Sequence, residues 1–290
     1  YLNSSLFEVT DLESKTIKIN SLSQRTVLPV LASSVLRNKK RNLQVNALPS
    51  LQYLFAFLDA YNFASEGSEE VQEEAKTLIN ASVLGLIFEK INGHKDGSFT
   101  PGFIITMFMC REAITKTVLQ KFNGYYGWNC TTRIELYNHI DNIVEANELI
   151  NSLRLCDPAV GSCHFLVSAL NELILFKYEL GILLDATGKR IRKADYQLAI
   201  ENDELIVTDT EGNLFAYNPL NAESRRMQET LFKEKRQIIE NCLFGVDINP
   251  NSVKICRLRL WIELLKNAYY TAESNYTYLE TLQNIDINIK

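Results

Sequence analysis

Residues 157–165 read DPAVGSCHF. Asp157, the first of them, is also the last residue of a short run at 153–157 that is predicted to be a strand. A helical pattern follows, and its apolar face carries Leu166, Leu170, Leu173 and Ile174. A strand ending in an acid, a glycine-containing turn and a helix form the arrangement by which open α/β sheets hold nucleotide-like ligands. The acid suits a positively charged ligand, such as a sulfonium amino acid, whereas a pyrophosphate prefers free helix amides. Many α/β proteins use such a turn only structurally, so the pattern by itself leaves both interpretations open.

A second stretch with the same organisation, residues 244–250, reads FGVDINP and follows an apolar run that begins at Cys242. Asp247 ends this predicted strand and could accept both ribose hydroxyls of a bound nucleoside, while Ile248 could pack on the adenine. The alternative is an ordinary cap, in which Asp247 or Asn249 caps the helix that Pro250 opens. Taken together, the two stretches favour the binding of an adenosyl group.

The rest of the chain predicts an α/β protein with a helical N-terminal region. Residues 1–150 are mainly helical, with helices expected from Leu51 and at 69–91, 101–122 and 133–150. Residues 151–290 alternate strands and helices, which predicts a parallel sheet. A β-rich insertion at about 185–240 contains short runs at 196–200, 205–208 and 214–217, followed by a charged helix at 223–240, and a last strand is expected at 285–290.

Composition excludes several classes of protein. The 290-residue chain has no apolar run of the roughly 18–20 residues that a membrane span needs, and its first residues do not form a signal peptide. None of the six cysteines forms a CxxC pair, so the sequence predicts neither a zinc site nor disulfides but a cytoplasmic protein. The acids at 201, 203 and 204 are interpreted as a solvated hairpin turn and not as a metal site.

The motifs resemble those of a known family of enzymes. DPAVGSCHF is similar to motif I of the amino-methylating DNA methyltransferases, usually DPAVGSGHF, and FGVDINP with the helix NSVKICRLRLW is similar to their motif II. Residues 86–93 and 96–101, LIFEKING and DGSFTP, resemble motif X and the segment before it. A motif X that precedes motif I is the order of the gamma class of adenine enzymes. The helical leader and the segment between the motifs resemble the type IIG, Eco57I-like restriction–modification proteins, and the resemblance covers about residues 80–290.

The resemblance implies a partial Rossmann-like sheet of the class I methyltransferase type, S-adenosylmethionine as cofactor, and double-stranded DNA as partner of the complete protein. It implies methylation of adenine N6, and it assigns roles to individual residues. Thr100 and Pro101 would lie near the methionine moiety, and Asp157, Ala159 and Gly161 would form the turn beneath it. Phe165 would pack beside the site, Asp247 would bind the ribose hydroxyls, and Ile248 would cover the adenine.

Three features depart from the family pattern. Cys163 replaces the second glycine of motif I, where a side chain either narrows the approach to the backbone or requires a compatible φ. Asp247 lies 90 positions after Asp157, so the segment between them must contain an insertion. The family's Asn-Pro-Pro-Tyr/Phe motif is missing, since Asn218-Pro219-Leu220 and Asn249-Pro250-Asn251 lack the aromatic continuation.

No catalytic residue is therefore predicted within this chain, and residues are expected to precede Tyr1, which is not an initiator methionine. The chain is expected to bind cofactor at best, as part of a longer enzyme. The alternative is a non-catalytic helical docking module whose α/β part is a degenerate cofactor fold blocked at Cys163.

Overall fold

The computed structural model describes residues 26–30, 36, 46–62, 77–78, 103–276, 279–280 and 287–290. The chain divides into two compact units, one formed by residues 7–95 and the other by residues 1–6 and 96–290. Thr100 and Pro101 lie outside the described residues. Of the helix predicted at 69–91, only Thr77 and Leu78 are described, and they form a strand, so the prediction is wrong at these two residues. Among the described residues, no helix combines the length and the apolar character that crossing a membrane requires.

The unit of residues 7–95 contains short strands and one described helix. Strands β1 (Val27–Pro29) and β2 (Ala47–Pro49) pair in antiparallel fashion, and β3 (Tyr61–Asn62) pairs in parallel with β4 (Thr77–Leu78). Helix α1 (Ser50–Ala60) begins where the sequence predicted a helix from Leu51. Among the described residues of this unit, a small cluster of apolar side chains is buried: Val30, Leu36 and Leu48.

The second unit begins with three described helices: α2 (Phe103–Tyr126), α3 (Arg133–His139) and α4 (Ile143–Asn151). The prediction of one helix over 133–150 is wrong, because Asn142 interrupts it. The Asn142 side chain accepts a hydrogen bond from the Glu145 amide and so caps the start of α4. A capping box between Thr132 and Glu135 starts α3.

The end of α2 also differs from the prediction that Asn123-Gly124 stops it. The Asn123 side chain donates to the Cys130 carbonyl at 2.8 Å and accepts from the Cys130 amide at 2.9 Å, so it fastens the following loop and does not end the helix. The helix continues to Tyr126, and Gly127, with a φ of +72°, follows it. Glycine adopts this left-handed conformation without steric cost.

Alternating strands and helices follow in the order that the sequence predicted: β5 (Leu155–Asp157), α5 (His164–Glu179), β6 (Gln197–Glu201), β7 (Glu204–Thr208), α6 (Ala222–Asn241), β8 (Leu243–Gly245) and α7 (Pro250–Leu265). Strands β5 and β8 pair in parallel, with Leu155 opposite Leu243, and Ile289 forms a further parallel bridge to Gly245. The protein is therefore a mixed α/β structure with a small parallel sheet, as predicted. Residues 214–217 do not form the predicted third strand, since Leu214 makes only an isolated bridge to Thr208.

One hydrophobic core extends from α2 through α4, α5, α6 and α7 to Ile289. The apolar face predicted for α5 is confirmed, because Leu166, Leu170, Leu173 and Ile174 are all buried. Helix α5 packs against α2, α6 and α7 and is the central helix of this core. The functional division near residue 150, between a helical region and a cofactor-binding region, remains a prediction.

Candidate functional site

The ends of β5 and β8 lie side by side, so the two predicted turns meet at one edge of the sheet. The Val246 amide donates to the Asp157 carbonyl and the Val160 amide donates to the Val246 carbonyl, both at 2.9 Å. Parallel pairing places the carboxyl ends of both strands at the same edge. Asp157 and Asp247 therefore reach the same region of the molecule, although 90 positions of chain separate them.

Asp247 connects the two turns through its carboxylate. Its Oδ2 accepts a hydrogen bond from the Gly161 amide, and its Oδ1 accepts one from the Asn249 amide, each at 2.8 Å. Asn249 caps α7, because its side chain accepts from the Asn251 amide at 2.9 Å. Of the two residues predicted as possible caps, Asn249 is the one that caps α7. Each carboxylate oxygen of Asp247 keeps a second lone pair that could accept a further hydrogen bond.

Asp157 contributes a carboxylate oxygen that none of the described residues satisfies. Its Oδ1 accepts from the Ala159 amide at 3.0 Å, whereas its buried Oδ2 finds no hydrogen-bond partner among the described residues. An unsatisfied buried acceptor is costly, so such atoms often mark a position where a ligand binds. A ligand that carries a positive charge or a donor group would satisfy this oxygen.

A cavity of about 290 Å³ opens beside Asp157, between β5, α2 and α5. Apolar side chains dominate its lining, among them Met109, Pro158, Phe165 and Leu166. Its volume is near the lower end of small-molecule sites, which begin at about 300 Å³. A largely apolar cavity with one carboxylate fits a cationic ligand that has an apolar part, such as the methionine end of a sulfonium nucleoside.

Cys163 adopts the left-handed conformation that its place in the motif predicts for glycine, with φ +77° and ψ +19°. Its side chain is fully buried in the hydrophobic core and does not line the cavity. A hydrogen bond with the Cys163 thiol, together with burial, raises the pKa of Cys256. A side chain at position 163 was expected either to narrow the approach to the backbone or to require a compatible φ, and the structure shows the second of these. The left-handed conformation costs a non-glycine residue about 1–2 kcal/mol.

The strain at Cys163 predicts an unusual order of stability for two variants. Cys163→Gly should be more stable than Cys163→Ala by about 1 kcal/mol, because both lose the thiol but only glycine relieves the positive φ. The matched position is Cys256 within α7, where alanine should be more stable than glycine by about 1 kcal/mol. Urea unfolding of the four variants measures this, and a lower stability for Cys163→Gly than for Cys163→Ala would contradict the strain.

The structure brings most of the predicted binding residues together. Asp157, Ala159 and Gly161 share the first turn, Phe165 lines the cavity, and Asp247 binds the Gly161 amide. Ile248 follows Asp247 but is fully exposed. The positions of Thr100 and Pro101 fall outside the described residues.

Sequence reasoning missed three residues near the candidate site and misjudged a fourth, Asp203. Met109 and Cys110 of α2 line the cavity, and only their place after the motif X segment could have indicated this. Arg259 of α7 donates from Nη1 to the Ser162 carbonyl at 2.6 Å. The only indication of this role in the sequence is that Arg259 is adjacent to Leu260, which belongs to the apolar face of the helix.

The acids at 201, 203 and 204 lie at a hairpin turn, as predicted, and Glu201 is exposed, but Asp203 is not solvated. Asp203 is buried, with 5% of its surface exposed, because its carboxylate accepts from Ser168 on α5. Among the described residues, no group of three or more potential ligands could hold a metal ion.

Comparison with known proteins identifies two similarities. A family model described as "Domain of unknown function (DUF7814)" matches residues 1–79. A protein of Methanocaldococcus jannaschii named "Putative type II restriction enzyme and methyltransferase" is 30% identical over 257 residues, which cover 81% of this chain and 18% of that protein. The chain therefore spans less than a fifth of the length of this relative. No solved structure matches the chain.

Proposed function

We propose that this chain is the S-adenosylmethionine-binding part of a DNA methyltransferase from a restriction–modification system, and that the longer protein methylates adenine N6 in double-stranded DNA. The observation that carries the proposal is the pair of strand-end acids. Asp157 lines an apolar cavity and has a buried oxygen without a hydrogen-bond partner among the described residues, and Asp247 binds the Gly161 amide of the adjacent turn. The relative from M. jannaschii, whose name includes both restriction and methyltransferase activities, supports the same assignment. The adenine specificity, the gamma class and the type IIG organisation rest on the order of the motifs.

Each site residue has a distinct role in this proposal. Asp157 attracts the positively charged methionine end of the cofactor, and Phe165 excludes water from that side of the cavity. Ala159 and Gly161 keep the turn thin so that the ligand approaches the backbone, and Asp247 accepts the ribose hydroxyls. Ile248, exposed beside Asp247, is available to cover the adenine ring. Thr100 and Pro101 are proposed to complete the methionine end.

The chemistry is divided between this chain and the longer protein. S-adenosylmethionine supplies an activated methyl group, and the residues described here bind and orient the donor. The groups that receive the flipped adenine are proposed to lie elsewhere in the longer protein. In this chain the Asn218 side chain accepts from the Leu220 amide and that of Asn249 from the Asn251 amide, each at 2.9 Å, so both asparagines act in local turns.

Titration of the chain with S-adenosylmethionine by calorimetry tests the proposal, and Asp247→Asn is the informative variant. Asparagine keeps one oxygen, which can accept from the Gly161 amide or the Asn249 amide but not from both, and it loses the charge and the second acceptor that two ribose hydroxyls need. Loss of a hydrogen bond to a charged group costs about 1.5–3 kcal/mol, so the dissociation constant should rise about tenfold or more.

Asp141→Asn is the matched control, because it removes the same charge from an exposed position between α3 and α4. This variant should bind the cofactor as the natural sequence does. Equal affinity of Asp247→Asn and Asp141→Asn would exclude the ribose role of Asp247. A chain that folds but gives no heat of binding would instead support the non-catalytic docking module.

A further inference from the structure

A buried arginine lies directly beneath the first turn of the candidate site. About nine-tenths of the Arg259 surface is buried, and its Nη1 donates to the Ser162 carbonyl at 2.6 Å, within the DPAVGSCHF turn. A buried guanidinium withdraws five donors and a full charge from water, which is costly unless acceptors and a counter-charge compensate. The surroundings of Arg259 should therefore include a carboxylate that is not already neutralised.

The tip of the β6–β7 hairpin supplies a candidate for this carboxylate. Asp203 is buried there with a φ of +66°, and its carboxylate accepts a hydrogen bond from the Ser168 hydroxyl of α5. The Asn171 side chain, one turn further along α5, donates to the Asp203 carbonyl at 2.8 Å. The neighbouring Glu204 lies 3.5 Å from the Lys266 ammonium at the end of α7. The hairpin tip is thus attached to both helices that follow the two site turns.

The other acids near Asp203 already have their own cations. Glu263 pairs with Lys235 at 3.3 Å and with Lys266 at 2.7 Å, and Lys266 also neutralises Glu204. Burial raises the pKa of Asp203 to about 6, while the Ser168 hydrogen bond and the Arg259 guanidinium oppose that rise. Arg259 is the cation whose charge lowers the pKa of Asp203, and among the described residues the two side chains form no ion pair within 4 Å, so Asp203 compensates the Arg259 charge at longer range.

We propose that Arg259 is a positioning residue for the DPAVGSCHF turn: it holds the Ser162 carbonyl from below, and the charge of Asp203 on the inserted hairpin compensates that of the guanidinium. The Ser162 carbonyl and the Cys163 amide belong to one peptide group, and that amide donates to the Val160 carbonyl at 2.8 Å. Holding the carbonyl therefore fixes the peptide group that leads into the strained Cys163. The hairpin between the two motifs is thus a support for the cofactor turn. The part of this inference that concerns ligand affinity rests on the proposed function.

Three variants separate positioning from simple structural support. Arg259→Met removes the donor and the charge and leaves Asp203 uncompensated, so it should destabilise the fold as well as the turn. The double variant Arg259→Met with Asp203→Asn leaves no unpaired buried charge, and its melting temperature should recover toward that of the natural sequence. Arg259→Lys keeps a charged donor that can still reach the Ser162 carbonyl.

Calorimetric titration with S-adenosylmethionine provides the first measurement. The double variant should bind about tenfold or more weakly despite its recovered stability, because the Ser162 carbonyl has still lost a charge-assisted hydrogen bond. Arg259→Lys should restore most of the affinity. A double variant that binds as tightly as the natural sequence would overturn the proposal and leave Arg259 a purely structural residue.

Hydrogen exchange of the free protein provides the second measurement and needs no ligand. The Cys163 amide should exchange about tenfold faster in the double variant, while the amides of α6 keep their protection. Unchanged exchange at the Cys163 amide would overturn the positioning role. If no protein binds the cofactor but the Cys163 amide responds as expected, the proposed function fails and the positioning role of Arg259 stands.

Discussion

Glu234→Gln is expected to lower the free energy of unfolding by about 3–5 kcal/mol, because it leaves a buried ammonium without its counter-charge. Lys177 on α5 is fully buried and forms an ion pair with Glu234 on α6. The side-chain oxygens of Asn147 and Asn151, on α4, also accept from Lys177, at 3.1 and 2.5 Å. Three helices therefore meet at one buried charge, and the two amides alone cannot neutralise it.

The same helix offers a matched control. Glu229 pairs with Lys233 at 2.5 Å one turn apart on the surface of α6, so Glu229→Gln removes an equal charge from a solvated pair. Exposed pairs contribute about 0–1 kcal/mol, and this variant should unfold almost as the natural sequence does. Urea unfolding measures both free energies. Equal losses from the two variants would show that burial does not set the strength of the Lys177–Glu234 pair.

A second variant separates the charge from the shape of this buried contact. Lys177→Met combined with Glu234→Gln removes both charges and should recover much of the stability that Glu234→Gln loses. If the double variant is no more stable than the single one, the loss comes from packing around Glu234 and not from the unpaired ammonium.

Gly245→Ala is expected to destabilise the protein by about 1–3 kcal/mol, because the small parallel sheet has no room for a side chain at this position. A Cβ atom on Gly245 would lie 2.8 Å from Cδ1 of Ile289 and 2.9 Å from Cγ2 of Val160. Val160 belongs to the DPAVGSCHF turn and Ile289 bridges to β8, so any shift that accommodates the methyl group moves the candidate site. Cofactor affinity should fall together with stability.

Gly124→Ala is the control, since a Cβ at this helical position meets nothing within 4 Å. Alanine should stabilise α2 by up to about 1 kcal/mol. Adding Val160→Ala to Gly245→Ala removes one of the two close contacts and should restore part of the stability that the first change loses. A Gly245→Ala variant as stable as the natural sequence would mean that β5, β8 and Ile289 do not pack as closely as described.

The local organisation of the candidate site could be predicted from the sequence. The residues of DPAVGSCHF and FGVDINP indicated a strand, a turn and a helix twice over, and the structure contains both. These features depend on short-range causes: the apolar character of a few residues, a glycine that allows a tight turn, and Asn249 with Pro250 opening a helix. The buried face of α5 followed from a helical period in the same way.

Two of the predictions failed because a partner outside the local segment engages a polar group. Asn123 looked like the end of a helix, but its amide is engaged by the backbone of Cys130. Asp203 looked like a solvated turn, but α5 offers Ser168 and Asn171 to its carboxylate and carbonyl. In both cases a partner elsewhere in the chain satisfied a polar group that local reasoning assigned to a cap or to water.

Only the tertiary structure decided that the two turns lie together at one edge of the sheet. Pairing of β5 with β8 brings Gly161 to Asp247, and the α2 helix closes the cavity beside Asp157. It also decided that Cys163, which has a positive φ, buries its side chain in the core and does not line the cavity. The residue types and their order determine which local turns form, whereas burial and pairing depend on free energies summed over contacts that are far apart in the chain.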